Sequence, residues 1–260
     1  MLLMVGIGSG VCAGLLGIGG GLVFLPLAKL YYIDYLGYPQ DFLIILIATP
    51  SAIIVANGLS ATLQHYRKKN VDLTLLPYFA VACFVGSRLG VMLVDNLPVL
   101  VVRFILAGFL LASAIRMFWR LDGREVDEPL RRGQRLQIGG FSFGISTLLS
   151  MLGLGGGALM TPVLNTLYSQ PMKKAIGTAS LFTVTVSSTA CLYYLLDSGV
   201  DSPTDHLMVG YVDLEIAALV ATGGIAGAWL GAKILQRSPV RTIRKSFAVL
   251  LILGAAKMVL

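Results

Sequence analysis

The sequence predicts an all-α integral membrane protein of two inverted-topology repeats, each with a glycine-broken helix or re-entrant hairpin plus three spanning helices. Three observations lead there. Apolar residues make up 56% of the chain and charged residues only 13%, with a mean hydropathy of +0.82, too few charges to clothe a soluble domain of this length. The apolar residues gather in blocks of about 20, the length of helix that crosses a hydrocarbon core of about 30 Å. A series of short motifs then returns in the same order in the second half of the chain.

The elements follow in chain order. Leu2–Ile33 is apolar and is broken at Gly17-Ile18-Gly19-Gly20-Gly21; each glycine costs a helix about 1 kcal/mol against alanine. It is not read as a signal peptide, because no basic residue precedes Lys29. Phe42–Leu63, Leu73–Val94 and Val99–Phe118 are each long enough to span and almost free of charge. Arg120–Arg135 carries both charge signs with Pro129 and Gly133 and reads as a soluble linker. It divides the chain into repeat 1–119, linker 120–136 and repeat 137–260. The segment of about 30 residues between the linker before Ile138 and the loop at Lys173 would be about 45 Å long as one helix, too long for a single crossing. Its break at Gly153–Gly157 therefore predicts a hairpin of two short helices. A hydroxyl-rich block around Thr178–Thr189, the span Leu214–Leu235 and a short last span, Pro239–Leu260, complete the second half.

The repeat is read residue by residue. Gly17–Pro26 returns as Gly153–Pro162, and Thr49-Pro50-Ser51 as Thr178-Ala179-Ser180. Val71-Asp72-Leu73 returns as Val212-Asp213-Leu214, and from there one constant offset pairs Gly86 and Gly90 with Gly227 and Gly231, Pro98 with Pro239, and Arg103 with Arg244. Charge supplies the orientation. The connections His65–Asp72, Arg116–Arg135, Tyr168–Lys174 and Gln236–Lys245 are basic, whereas Tyr31–Asp41, Asp95–Pro98 and Asp197–Asp213 hold aspartates and no Lys or Arg. The positive-inside rule places the first set in the cytoplasm and the second outside, so the two hairpins enter from opposite faces. The formal net charge of +7 thus serves topology, and no nucleic-acid partner is expected.

A helix break inside lipid survives only where it faces protein or a wet cavity, and it aims the free N–H groups of the next half-helix at that cavity, a setting suited to an anion. The candidate substrate residues are therefore Gly19, Gly20, Gly21, Gly155, Gly156 and Gly157. Thr49, Ser51, Thr178 and Ser180 join them, because these hydroxyls occupy matching places in the repeat and Pro50 weakens the helix beside the first pair. Intramembrane hydroxyls also bond back to their own helix, the competing reading for most of the others. Arg88, the basic residue well inside a predicted span, is a further candidate, with snorkelling to the external face as its alternative. Asp72 and Asp213 stand at helix starts and read as caps. Gly86, Gly90, Gly227 and Gly231 read as close-packing positions. Cys12, Cys83 and Cys191 read as buried, inert thiols. No Asp, Glu or His falls in the middle of a predicted span, so no carboxylate proton relay is visible. No nucleophile–base constellation suggests an enzyme, and no cofactor or metal is expected.

At the Gly17–Pro26 and Gly153–Pro162 pair, with Thr178-Ala179-Ser180, the Gly227–Gly231 spacing and the basic stretch His65–Leu73, the chain resembles the sulfite exporter TauE/SafE family over nearly its whole length. The resemblance implies a multi-pass protein of a bacterial-type plasma (inner) membrane that moves sulfite, thiosulfate, an organosulfonate or a related organic anion. Its expected partners are that small sulfur-containing anion and the lipid bilayer, with a homo-oligomer left open. Export by rocking one half against the other around a midplane site is the expected mechanism. A passive anion channel, or an uptake permease for a related organic anion, is the alternative. Arg88 departs from the family pattern.

Overall fold

The structure is a computed structural model and describes residues 2–21, 43–93, 104, 107–108, 111–112, 114–115, 128–151, 155–196 and 207–259. In chain order the elements are α1 (Leu2–Leu16), α2 (Leu43–Arg67), a 3-10 turn (Leu73–Leu75) leading into α3 (Leu76–Leu93), α4 (Arg132–Ser150), α5 (Gly157–Pro162) continued by a π turn (Val163–Leu167), and α6 (Met172–Leu196). A two-stranded ribbon of β1 (Met208–Val209) and β2 (Val212–Asp213) precedes α7 (Leu214–Arg237) and α8 (Val240–Val259). Three described stretches are long and apolar enough to cross a membrane: Leu73–Leu93, Met172–Leu196 and Leu214–Arg237. The predicted second limb of the first hairpin, with Pro26, lies outside the described residues. So do most of the block Val99–Phe118 and the connections Tyr31–Asp41 and Asp95–Pro98.

The helix starts are built as their residue types require. Asp72 Oδ1 accepts from the N–H of Thr74 at 3.0 Å and from its hydroxyl at 2.6 Å. Asp213 Oδ1 accepts from the N–H of Ile216 at 3.0 Å, so both aspartates are the caps expected of them. Glu215 in the first turn of α7 and Arg237 in its last turn complement the helix dipole. α4 starts earlier than the linker boundary suggested, because Gln134 Oε1 accepts from the N–H of Arg131 at 2.9 Å and ties its first turn. The fold also departs from all-α at the ribbon. Its two strands pair antiparallel around a turn at Gly210-Tyr211, where Gly210 has φ 56, the conformation a two-residue hairpin demands.

α6 is the central helix. Every residue from Ala175 to Thr183 is buried, as expected of a helix with no polar outer face, and it packs on both α2 and α3. Two further pairs flank it. A Cβ on Gly6, Gly10 or Gly14 of α1 would meet the α7 backbone at Val220, Gly224 and Ala228 in turn, and one on Gly223, Gly227 or Gly231 would meet the carbonyls of Leu3, Ile7 and Val11. α1 and α7 therefore run parallel with their backbones in contact. α3 and α4 are joined in the same way, with Gly86 against Phe143 and Ser146 and Gly90 against Thr147. The glycines read as packing positions are packing positions. All three cysteines are free, with Cys83 and Cys191 buried and Cys12 half-buried.

Candidate functional site

Both glycine runs interrupt their helices. After α1 the chain turns through Gly17, Gly19 and Gly20 at φ 72, 74 and 83, a region that L side chains disfavour, and helix resumes at Gly21. In the second half α4 ends at Ser150, and Gly155-Gly156 lead into α5 at Gly157. The two breaks lie against each other. A Cβ on Gly157 would collide with the carbonyl oxygen of Gly17, and one on Gly155 with that of Ile18. A Cβ on Gly19 would stand 3.6 Å from Gly155 Cα and 2.5 Å from Ile54 Cγ2. Gly20 packs instead on the backbone of Ser9, and Gly156 on the ring of Phe182.

Thr183 stands at this crossing. Its hydroxyl donates to the Gly17 carbonyl at 3.0 Å, and its methyl approaches the Cβ positions of Gly19 and Gly155 at 2.7 and 3.0 Å. Sequence reading did not single it out from the other hydroxyls of its block. The repeat alignment would have served, since Thr183 aligns with Ile54 and both touch Gly19. The four predicted hydroxyls divide into two kinds. Thr49 Oγ1 accepts from the N–H of Asp213 at 3.1 Å, and Thr178 Oγ1 accepts from that of Asp72 at 3.0 Å, so each threonine holds a helix start belonging to the other half. Ser51 donates to Ala48 O at 2.6 Å and Ser180 to Ile176 O at 3.0 Å, the back-bonding expected of most of the other hydroxyls. Ser180 Oγ nevertheless lies beside the first break, 3.1 Å from the place of a Cβ on Gly17.

Ser51 also lines a small cavity with Ser150, Ser187 and Tyr194. Its volume of about 10 Å³ is close to the room one water molecule needs. Ser150, the last residue before the second break, has a buried hydroxyl with no partner among the described residues, and the Tyr194 hydroxyl donates to its carbonyl at 2.9 Å. Ser150 and Tyr194 carried no sequence signal, because the duplicated motifs contain neither. Arg88 is elsewhere: its side chain is exposed on α3, with the guanidinium carbon 5.3 Å from the centroid of the Tyr193 ring. It is not brought to either break.

His65 opens the connection His65–Asp72, read as basic, but α2 continues to Arg67 and buries His65 completely, two residues beyond the apolar block Phe42–Leu63. Its Nε2 lies 2.9 Å from the Gly14 carbonyl, and Nδ1 is buried without a partner among the described residues. Burial pushes the imidazole down to about 4, against the opposing pull of the Gly14 hydrogen bond. No group of three His, Cys, Asp or Glu among the described residues could hold a metal ion.

Apolar helices packed backbone to backbone around two touching glycine breaks, with hydroxyls in place of charges at the centre, define a multi-pass α-helical membrane protein. The chain belongs to the sulfite exporter TauE/SafE family, whose sequence profile matches residues 2–258, a family of membrane transporters. It is 27% identical to a "Probable membrane transporter protein" of Haemophilus influenzae, over 100% of this chain and 97% of that one. It is 25% identical to "Probable membrane transporter protein YunE" of Bacillus subtilis over 100% and 96% of the two chains, and 26% identical to a "Probable membrane transporter protein" of Methanocaldococcus jannaschii over 94% and 89%. No solved structure matches it.

Proposed function

We propose that this chain exports a small sulfur-containing anion (sulfite, thiosulfate or an organosulfonate) by alternating access around the place where its two glycine breaks meet. The observation that carries the reading is the contact itself: Gly17 and Ile18 of one half lie against Gly155 and Gly157 of the other, far apart in sequence and aligned by the repeat. Matched interactions support inverted halves. The Thr49–Asp213 bond has its counterpart in Thr178–Asp72, and Gly227 against Ile7 and Val11 has its counterpart in Gly86 against Phe143 and Thr147.

In this reading the backbones of Gly19–Gly21 and Gly155–Gly157 part to admit the anion. Ser150 offers it a hydroxyl donor that is unpartnered among the described residues. Ser51, Ser180 and Thr183 donate to it by giving up their bonds to Ala48, Ile176 and Gly17, and Thr49 and Thr178 fix the helix starts around it. An interior potential that is negative favours expulsion of an anion by about 2.3 kcal/mol per charge per 100 mV. The test is flux of labelled sulfite, thiosulfate and a sulfonate in proteoliposomes with the potential clamped at each sign. Saturable, trans-stimulated flux that follows the potential is expected. Flux that neither saturates nor shows trans-stimulation would make the protein a channel, and no flux of all three anions would sink the sulfur reading.

A further inference from the structure

We propose that His65 is a proton-binding site, and that uptake of a proton at its Nδ1 opens the contact between α1, α2 and α6 and so couples transport to the proton gradient. The coupling rests on the transport reading above; the proton site does not. A carbonyl can only accept, so the ring nitrogen facing Gly14 O at 2.9 Å carries the hydrogen, and Nδ1 presents a bare lone pair. That lone pair is buried and has no partner among the described residues. In the proton step hydronium gives its proton to Nδ1, the ring becomes imidazolium with N–H at both nitrogens, and no other bond changes.

The second half contains the same device without a titrating ring. Tyr194 takes the place of His65, and its hydroxyl donates to Ser150 O at 2.9 Å, as His65 does to Gly14 O. The backbone around the two residues agrees as well. The N–H of Asn70 donates to His65 O at 2.9 Å and that of Tyr211 to Tyr194 O at 3.1 Å, through turns in which Lys69 has φ 57 and Gly210 φ 56. Tyrosine therefore satisfies the packing and the hydrogen bond; histidine adds the ability to take a proton.

Among the described residues the closed contact shows no acceptor for an imidazolium N–H at Nδ1. α1 carries no charged side chain, its one titratable group being Cys12. Arg67, Lys68 and Lys69 follow His65, α6 brings Lys173 and Lys174 in its first turn, and α7 brings Lys233 and Arg237. Of the acidic residues of this end, Asp72 already accepts two hydrogen bonds from Thr74, and Glu128 lies at the Gln170 end of α6, where its carbonyl accepts from Gln170. Gly177 of α6 packs on the His65 Cβ and the Asn70 carbonyl, and the whole of His65 is buried. A second N–H and a positive charge are tolerated only when α1 or α6 withdraws and water enters, so proton affinity differs between the two conformations, which is what coupling requires.

The chain has two histidines, so full-length His206→Gln in lipid nanodiscs leaves His65 alone for nitrogen NMR with labelled histidine. The ring should show the Nε2–H tautomer near pH 8 and pass to imidazolium on acidification, with a spin-label distance from α1 to α6 lengthening in step. In proteoliposomes at clamped potential, thiosulfate flux should change about tenfold between about pH 8 and about pH 5. His65→Tyr, the residue of the other half, should keep flux and flatten that change to about twofold. An Nδ1–H tautomer, a ring that never protonates, or an α1–α6 distance indifferent to its protonation overturns the proposal. So does a pH response that survives in His65→Tyr. Should that variant fail to fold, the NMR titration and the distance decide. Absence of thiosulfate flux in the parent chain counts against the transport reading alone.

Discussion

Gly19 combines two demands that no other residue type meets. Its φ of 74 lies in the left-handed region, and a Cβ there would press on Ile54 and Thr183. Gly19→Ala should therefore cost about 1–3 kcal/mol and slow flux more than it lowers the unfolding midpoint in detergent. Gly8→Ala is the control: nothing lies within 4 Å of its Cβ position, so its effect should stay within about 0.5 kcal/mol. The threonines invite a sharper comparison. Thr49→Val removes the acceptor for the N–H of Asp213, a residue that is fully buried, and stranding that group should cost about 1–3 kcal/mol. Thr178→Val should cost less, because the Asp72 end is only part-buried. Serine at either position should restore most of the loss, as judged by thermal unfolding. A loss for serine with none for valine, which keeps the methyl, would instead assign these positions to the threonine methyl. The alignment of Thr49 with Thr178 was legible in the sequence; that both reach across to the opposite half was not, because a hydroxyl's partner is set by tertiary packing.

At the scale of elements, the glycines of α7 form a ridge that receives α1. Gly227 faces Ile7 and Val11 and Gly231 faces Val11 and Leu15 through backbone atoms, which cannot swing aside as side chains do. Gly227→Leu should therefore pry the pair apart at about 1–3 kcal/mol or more, read as a lowered unfolding midpoint. Gly144→Leu, on a face of α4 with nothing within 4 Å, should be near neutral. Small residues at this spacing are readable without coordinates, since they matter only where helices touch. Which helix they touch is not readable, and here the partner of α1 belongs to the other repeat. The glycine breaks were legible for a related reason: three glycines in a row oppose helix in any context. The same residues conceal the end of α2, where an apolar count stops at Leu63 but hydrogen bonding carries the helix to Arg67, and with it His65 into the interior.

For the whole molecule, the tightest contacts join helices of different repeats. α1 is welded to α7 and α3 to α4 by glycines without room for a methyl group, whereas α2 and α6 meet through larger side chains such as Val184, against which Gly58 packs. A motion that kept each sequence half rigid would have to tear both glycine seams, at the cost of every backbone contact along them. A motion that kept α1 with α7 and α3 with α4 would leave the seams intact and part the molecule at the glycine breaks, where the anion is proposed to pass. In such a motion the rigid bodies would be exchanged pairs and not the halves read from the sequence. Met4 on α1 and Leu219 on α7 are exposed, as is Phe141 on α4, and all three accept spin labels once Cys12, Cys83 and Cys191 are replaced by alanine. With and without thiosulfate, the Met4–Leu219 distance should hold constant while the Met4–Phe141 distance shifts or broadens. A Met4–Leu219 distance that moves with substrate would return the mechanism to rocking halves, and would require the α1–α7 seam to open on every cycle.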